Sequence, residues 1–159
     1  IFSCCVSMIG CCGKCCMLLP GRNGVNLCNI GDSKIFRCAD GRLKQLSEDH
    51  LSIAPYGEKA PLSQYLGIPP EELVLCPYYM ALPYTPAEKY LLCSDGLTDM
   101  VPLEDITRIL TNFSVEQAAQ LLLQRALDNG GKDNVTLIVL QTEKQASSSP
   151  FERLKKLFG

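Results

Sequence analysis

At 159 residues the chain is long enough for one domain with a substantial core. Hydrophobic residues make up 47% and charged residues 20%, which excludes an intrinsically disordered polypeptide. A formal net charge of −2 removes any electrostatic case for nucleic acid or an anionic membrane surface as partner.

Six of the ten cysteines crowd the start, at Cys4, Cys5, Cys11, Cys12, Cys15 and Cys16. Cys12-Gly13-Lys14-Cys15 has the two-residue spacing of zinc and redox sites. Adjacent cysteines on a strand face opposite sides, however, so they make poor joint ligands and are expected to act as small apolar residues. Cys28, Cys38, Cys76 and Cys93 sit singly in apolar runs, which fits a reduced, cytoplasmic setting. Residues 1–19 are apolar with one charge, Lys14. Gly10, Gly13 and two serines interrupt them and no basic cluster precedes them, so neither a signal peptide nor a spanning helix is expected.

Val25 to Ile30 and Ile35 to Cys38 predict strands on either side of a Gly31-Asp32-Ser33 bend. Ala39-Asp40-Gly41-Arg42 is a hairpin turn, because Asp-Gly supplies the positive φ angles of a two-residue loop. Leu43 to Leu46 returns as the partner strand. Residues 49–70, with Pro55, Gly57, Pro61, Pro69 and Pro70, form a loop. Glu71 to Pro77 and Lys89 to Ser94 are expected as further strands, the second delivering Asp95 to its C-terminal end with Gly96 permitting the turn.

Pro102 opens a helix with an apolar stripe at Leu103, Ile106, Ile109 and Leu110. Ser114 and Gln117 spell a capping box for a second helix. Its apolar positions are Ala118, Leu121, Leu122, Leu123, Ala126 and Leu127. Gly130 and Gly131 end it, and Val135 to Leu140 reads as a buried strand. Asp133 therefore stands in a tight turn between helix and strand, as Asp95 stands at a strand end. Two such acids suggest a hard-cation site. Asp99 and Asp105 read as acids at the start of helices, favoured by the dipole. Beyond the small-residue linker at 145–150, Phe151, Leu154, Leu157 and Phe158 share one face of a basic segment too short to hold a helix unaided.

Five segments in series resemble the PPM-type family, the metal-dependent protein phosphatase 2C group. They are Asn29-x-Gly31-Asp32-Ser33, Glu48-Asp49-His50, Leu62 to Gly67, Ser94-Asp95-Gly96 and Gly130-Gly131-Lys132-Asp133-Asn134, covering roughly residues 15 to 142. The resemblance implies an α+β fold of two packed antiparallel β-sheets flanked by helices, with Cys15 to Leu19 as a core strand and 49–70 as a short flap. It makes 1–142 a partial phosphatase domain and 143–159 a linker and tail.

It also implies hydrolysis of phosphoserine and phosphothreonine in proteins, opposing a serine/threonine kinase. In the family, two Mn2+ or Mg2+ ions bridge a water and lower its pKa. Asp95 and Asp133 match metal ligands of the family, Asp32 matches a weaker third site or forms a turn, and Gly96 and Asn134 support them, Asn134 through its side-chain amide. His50, the one histidine, is expected to pack or hydrogen-bond rather than to act as an acid. No residue is assigned as a catalytic acid or base.

The family's Asp-Gly-x-Gly-Gly element is missing, since the Asp-Gly pairs at 40–41 and 95–96 do not continue that way. The expectation is a chain lacking the domain's N-terminal portion and inactive alone. The alternatives are a non-catalytic, phosphatase-like binding domain and a zinc module built on the N-terminal cysteines.

Overall fold

The computed structural model describes residues 7–142 except positions 12, 22, 23, 57, 70 and 84, with 7–11 described as backbone only. The strands are β1 (Ser7–Cys11), β2 (Lys14–Pro20), β3 (Gly24–Ile30), β4 (Lys34–Ala39), β5 (Arg42–Gln45), β6 (Tyr78–Pro83), β7 (Lys89–Cys93) and β8 (Leu137–Gln141). The helices are α1 (Asp95–Thr98), α2 (Leu103–Asn112) and α3 (Val115–Asp128). The strands form two four-stranded antiparallel sheets, ordered β1-β2-β3-β6 and β5-β4-β7-β8.

Strand periodicity explains how the layers stack. Successive side chains alternate between faces, so a central strand covered on both sides must be apolar throughout. Tyr90-Leu91-Leu92-Cys93 is such a strand. Tyr90 and Leu92 turn inward to meet Cys16, Leu18, Val25 and Leu27 of the first sheet. Leu91 and Cys93 turn outward to Leu97, Ile106, Leu110, Ala118 and Leu122 of the helices. Ile35 and Phe36 on β4 divide in the same way. The result is the expected pair of packed antiparallel sheets with helices. All three described helices lie on the outer face of the second sheet, so the flanking layer is seen on one side only. Among the described residues no helix is long and apolar enough to cross a membrane.

The strand expected at Glu71 to Pro77 does not form. Residues 71–77 are irregular and mostly exposed, and the strand begins just after Pro77, at Tyr78. Pro77 has no N–H to give a ladder. Tyr78, Met80 and Leu82 face the core, whereas Val74 and Leu75 of the apolar run at 73–75 stay exposed. The last strand begins at Leu137 rather than Val135, because the two preceding residues cross from the Asp133 turn.

Both long helices follow their signals, with α3 narrower in its contact than expected. The Ser114 hydroxyl accepts from the Gln117 N–H and the Gln117 side chain accepts from the Ser114 N–H, completing the capping box. Ala118, Leu122 and Ala126 are buried, whereas Leu121, Leu123 and Leu127 are exposed, as is Leu103 of α2. Gly130 and Gly131 take positive φ values of 116° and 49°, ending α3 as their lack of a side chain allows. Cys4, Cys5, Cys12 and the tail 143–159 lie outside the described residues, and with them the zinc reading of the cysteines and the reading of the tail.

Candidate functional site

One end of the second sheet gathers the three acids singled out by sequence. β4 and β7 pair through Lys34 and Cys93, so continuing that register sets Asp32 opposite Asp95 two steps beyond the ladder. β7 and β8 pair through Cys93 and Leu137, which brings the Asp133 turn against the start of α1. Strand pairing alone thus carries residues 32, 95 and 133 to one edge.

The Gly31-Asp32-Ser33 bend is fixed by three side chains. Asn29, fully buried, donates its Nδ2 to the Gly31 carbonyl at 3.1 Å and the Glu48 carbonyl at 2.7 Å. His50 Nδ1 accepts the Gly31 N–H at 3.1 Å, and the His50 N–H donates to the Gly31 carbonyl at 3.1 Å. The Ser47 hydroxyl accepts the Ile35 N–H at 2.9 Å. His50 is therefore a hydrogen-bonding residue of the bend, as expected. Gly31 has φ +95°, and a Cβ there would come within 2.9 Å of the Lys14 Cβ. Glycine is required both by the conformation and by the lysine packed over it.

Asp95 opens α1, a single turn that sequence reading treated only as a bend. Its N–H-rich start suits an acid. Ser94 fastens this turn to the Asp133 segment: its hydroxyl donates to the Asn134 carbonyl at 3.0 Å and accepts the Thr136 N–H at 3.1 Å. A Cβ on Gly96 would lie 2.5 Å from that same carbonyl oxygen. Asn134 holds its neighbour by a different group from the expected one. Its backbone N–H, not its side-chain amide, donates to Asp133 Oδ1 at 2.7 Å. Asp133 is exposed, while Asp32 and Asp95 are buried.

Two lysines, remote in sequence, meet two of these acids, Asp32 and Asp95. Lys14 Nζ lies 2.7 Å from Asp32 Oδ1 and 3.2 Å from Asp95 Oδ2. Lys59 Nζ lies 2.8 Å from Asp95 Oδ2 and 3.4 Å from Asp99 Oδ2. Side-chain exposures are 6% for Asp32, 11% for Asp95 and 18% for Lys14, against 64% for Lys59. Asp99 is the C-cap of α1 and a partner of Lys59, correcting its reading as an acid at a helix start, whereas Asp105 does sit in the first turn of α2. No sequence signal pointed to the lysines, because pairs 81 and 36 residues apart are made by the fold.

The charges respond accordingly. Burial would raise the Asp95 carboxyl, but hydrogen bonds from Lys59 and Lys14, and their charges, hold it below its ordinary value. Burial would favour a neutral Lys14 amine, yet Asp32 and Asp95 outweigh it and keep the ammonium above its ordinary value. The hydrogen bond to Asp95 is the main cause raising Lys59.

As they stand, these side chains do not fit a divalent ion. Asp32 Oδ1 and Asp95 Oδ2 are held by ammonium groups, and the described residues contain no group of three or more metal-ligating side chains. A Mg2+-like cation needs near-octahedral oxygen ligation.

No family model matches the chain. It is 31% identical over 132 residues to the serine/threonine protein phosphatase PstP of Mycobacterium tuberculosis, a match covering 77% of this chain and 26% of that protein. It is 27% identical over 135 residues to the serine/threonine phosphatase stp of Listeria welshimeri, covering 77% of this chain and 54% of that protein. The solved catalytic domain of PstP, in complex with two manganese ions, superposes with a TM-score of 0.68 at 28% identity. That match covers 82% of this chain and 59% of the other. The chain thus spans about half the length of one curated relative and about a quarter of the other.

Proposed function

Because the chain belongs to the PPM-type family of protein serine/threonine phosphatases, we propose that it serves the hydrolysis of phosphoserine and phosphothreonine in proteins. Asp32, Asp95 and Asp133, with Gly96 and Asn134 in support, are its contribution to a centre for Mn2+ or Mg2+. The convergence of these acids on one sheet end carries this reading, since the register that places them is the fold's own. Metal chemistry there requires acids beyond these, because the described residues do not complete a cation site. Its partners are phosphorylated proteins set by an opposing kinase, and a reducing cytoplasm suits the buried thiols of Cys38 and Cys93.

The test compares the 159-residue chain with the whole natural protein that carries it. With Mn2+ and a phosphothreonine peptide, the whole protein is expected to turn over and to lose at least about a hundredfold in Asp95→Asn. The 159-residue chain is expected to be inactive. Manganese-dependent turnover by that chain, abolished in Asp133→Asn, would overturn the need for further acids. A whole protein without turnover would overturn the assignment itself.

A further inference from the structure

The feature that the family resemblance leaves unabsorbed is the pair of ammonium groups on the buried acids. Lys14 is not a surface residue that happens to reach an acid. It begins β2, a strand paired on both sides, and its register partner in β1 is Cys11. The side chain lies over Gly31, where any larger residue would push it aside. The Asp32 oxygen it meets is buried, and the Lys14 ammonium at 2.7 Å is what compensates it among the described residues. Leaving that oxygen without any cation would carry the cost of an unpaired buried charge.

Lys59 arrives by another route. Its loop is docked on the same corner, where the Leu66 N–H donates to the Gly13 carbonyl at 2.6 Å, beside Lys14. It bridges Asp95 and Asp99 from the solvent side.

We propose that Lys14, assisted by Lys59, is a built-in counter-cation. Its ammonium holds Asp32 and Asp95 together in place of a divalent ion and competes with that ion for the same oxygens. Three carboxylates, Asp32, Asp95 and Asp99, face the two ammonium groups, so an ion of charge +2 arriving beside both lysines would turn the cluster from net negative to net positive. Binding must therefore be coupled to their displacement. Lys59, exposed and loop-borne, would be the easier of the two to displace. Lys14 must swing on a fixed strand, so it sets the threshold. This rests on reading Asp32 and Asp95 as cation-facing, and it does not require that the chain hydrolyse anything.

The test is Mn2+ binding by the 159-residue chain at low ionic strength, with free Mn2+ read by electron paramagnetic resonance and thermal midpoints read alongside. Lys14→Gln is expected to bind Mn2+ at least tenfold more tightly than the unaltered chain, and Lys59→Gln several-fold more tightly. Lys14→Arg, which keeps a cation, should gain nothing. Adding Asp95→Asn to Lys14→Gln should cancel the gain. If Lys14→Gln does not fold without the ion, its recovery on adding Mn2+ and the exposed Lys59→Gln variant carry the test. Equal Mn2+ affinity in the unaltered chain and the Gln variants, or no saturable binding in any of them, overturns the proposal. Absence of phosphopeptide turnover would bear on the functional reading alone.

Discussion

Asp32 and Asp95 face one another past the ends of two paired strands, and a single ammonium, that of Lys14, touches both. Two carboxylates this buried repel each other and lose hydration, so their proximity demands a cation. The cation here is covalently part of the chain. This makes the geometry of the acids independent of any ion in solution, and it gives Lys14 a structural cost of removal that Lys59 lacks.

Lys14→Ala is accordingly expected to destabilise the fold by about 3–5 kcal/mol, as when one partner of a buried pair is deleted. Lys59→Ala should cost no more than about 1 kcal/mol, because that side chain is largely in solvent and its pairs are screened. Urea unfolding of both variants at low and high salt separates the cases. The small Lys59 effect should vanish with salt and the Lys14 effect should persist.

Stability should fall at both ends of the pH scale, for different groups. The Asp95 carboxyl is depressed below its ordinary value of 3.8 in the fold, so its contribution is present above that value and is lost as pH falls through the folded one. Lys14 is raised above 10.5, so its contribution is complete below 10.5 and is lost as pH rises beyond. Cys93 acts earlier. Burial is the main cause pushing its thiol from 9.0 up to about 12, so between those values the unfolded chain sheds a proton that the fold retains. A urea midpoint measured against pH should be level between about 5 and 9, then decline. Cys93→Ala should shrink the decline that begins near 9, leaving the part carried by Cys15, whose thiol burial also raises, and Asp95→Asn should weaken the acid limb.

Local chemistry made much of this fold legible. The Asp40-Gly41 turn, the Ser114 capping box and the Gly130-Gly131 stop are written in adjacent residues, and each forms as read. The unbroken apolar run at 90–93 likewise announced a strand. What misled was apolar content without alternation: Val74 and Leu75 stay outside, while Tyr78, Met80 and Leu82, spaced by two, hold the inward face. At the site, glycine-flanked acids at 32, 95 and 133 were visible because a turn needs special residues. The lysines were not, since an ammonium reaching across the fold leaves no local trace. The role of Asn134 was misjudged for a related reason, as a backbone N–H carries no side-chain signature.

Ser114→Ala tests whether the most local of these signals carries its usual weight. It removes the hydroxyl that accepts the Gln117 N–H and so leaves one donor at the start of α3 without its partner. The expected loss is about 1 kcal/mol in chemical denaturation, with Asn or Asp at the same position restoring most of it.

Gly96→Ala tests the contact that joins the Asp95 and Asp133 turns. Alanine is the better residue in a helix, by roughly 0.5–1 kcal/mol, so local propensity predicts stabilisation. The added Cβ would instead sit 2.5 Å from the Asn134 carbonyl oxygen, a backbone atom that can yield only if the whole turn moves. Overpacking of this kind costs about 1–3 kcal/mol, so the net effect should be destabilising. Gly41→Ala is the matched control. Its φ of +71° also penalises alanine, by about 1–2 kcal/mol, but nothing lies within 4 Å of the new atom. The two variants should thus lose similar stability by different routes, and amide exchange at Thr136 tells them apart. That N–H is held by the Ser94 hydroxyl, which also bonds the displaced Asn134 carbonyl. Beyond what global stability explains, its protection should fall in Gly96→Ala and hold in Gly41→Ala. Unchanged protection in both would mean that the two acidic turns are not mechanically joined through Gly96.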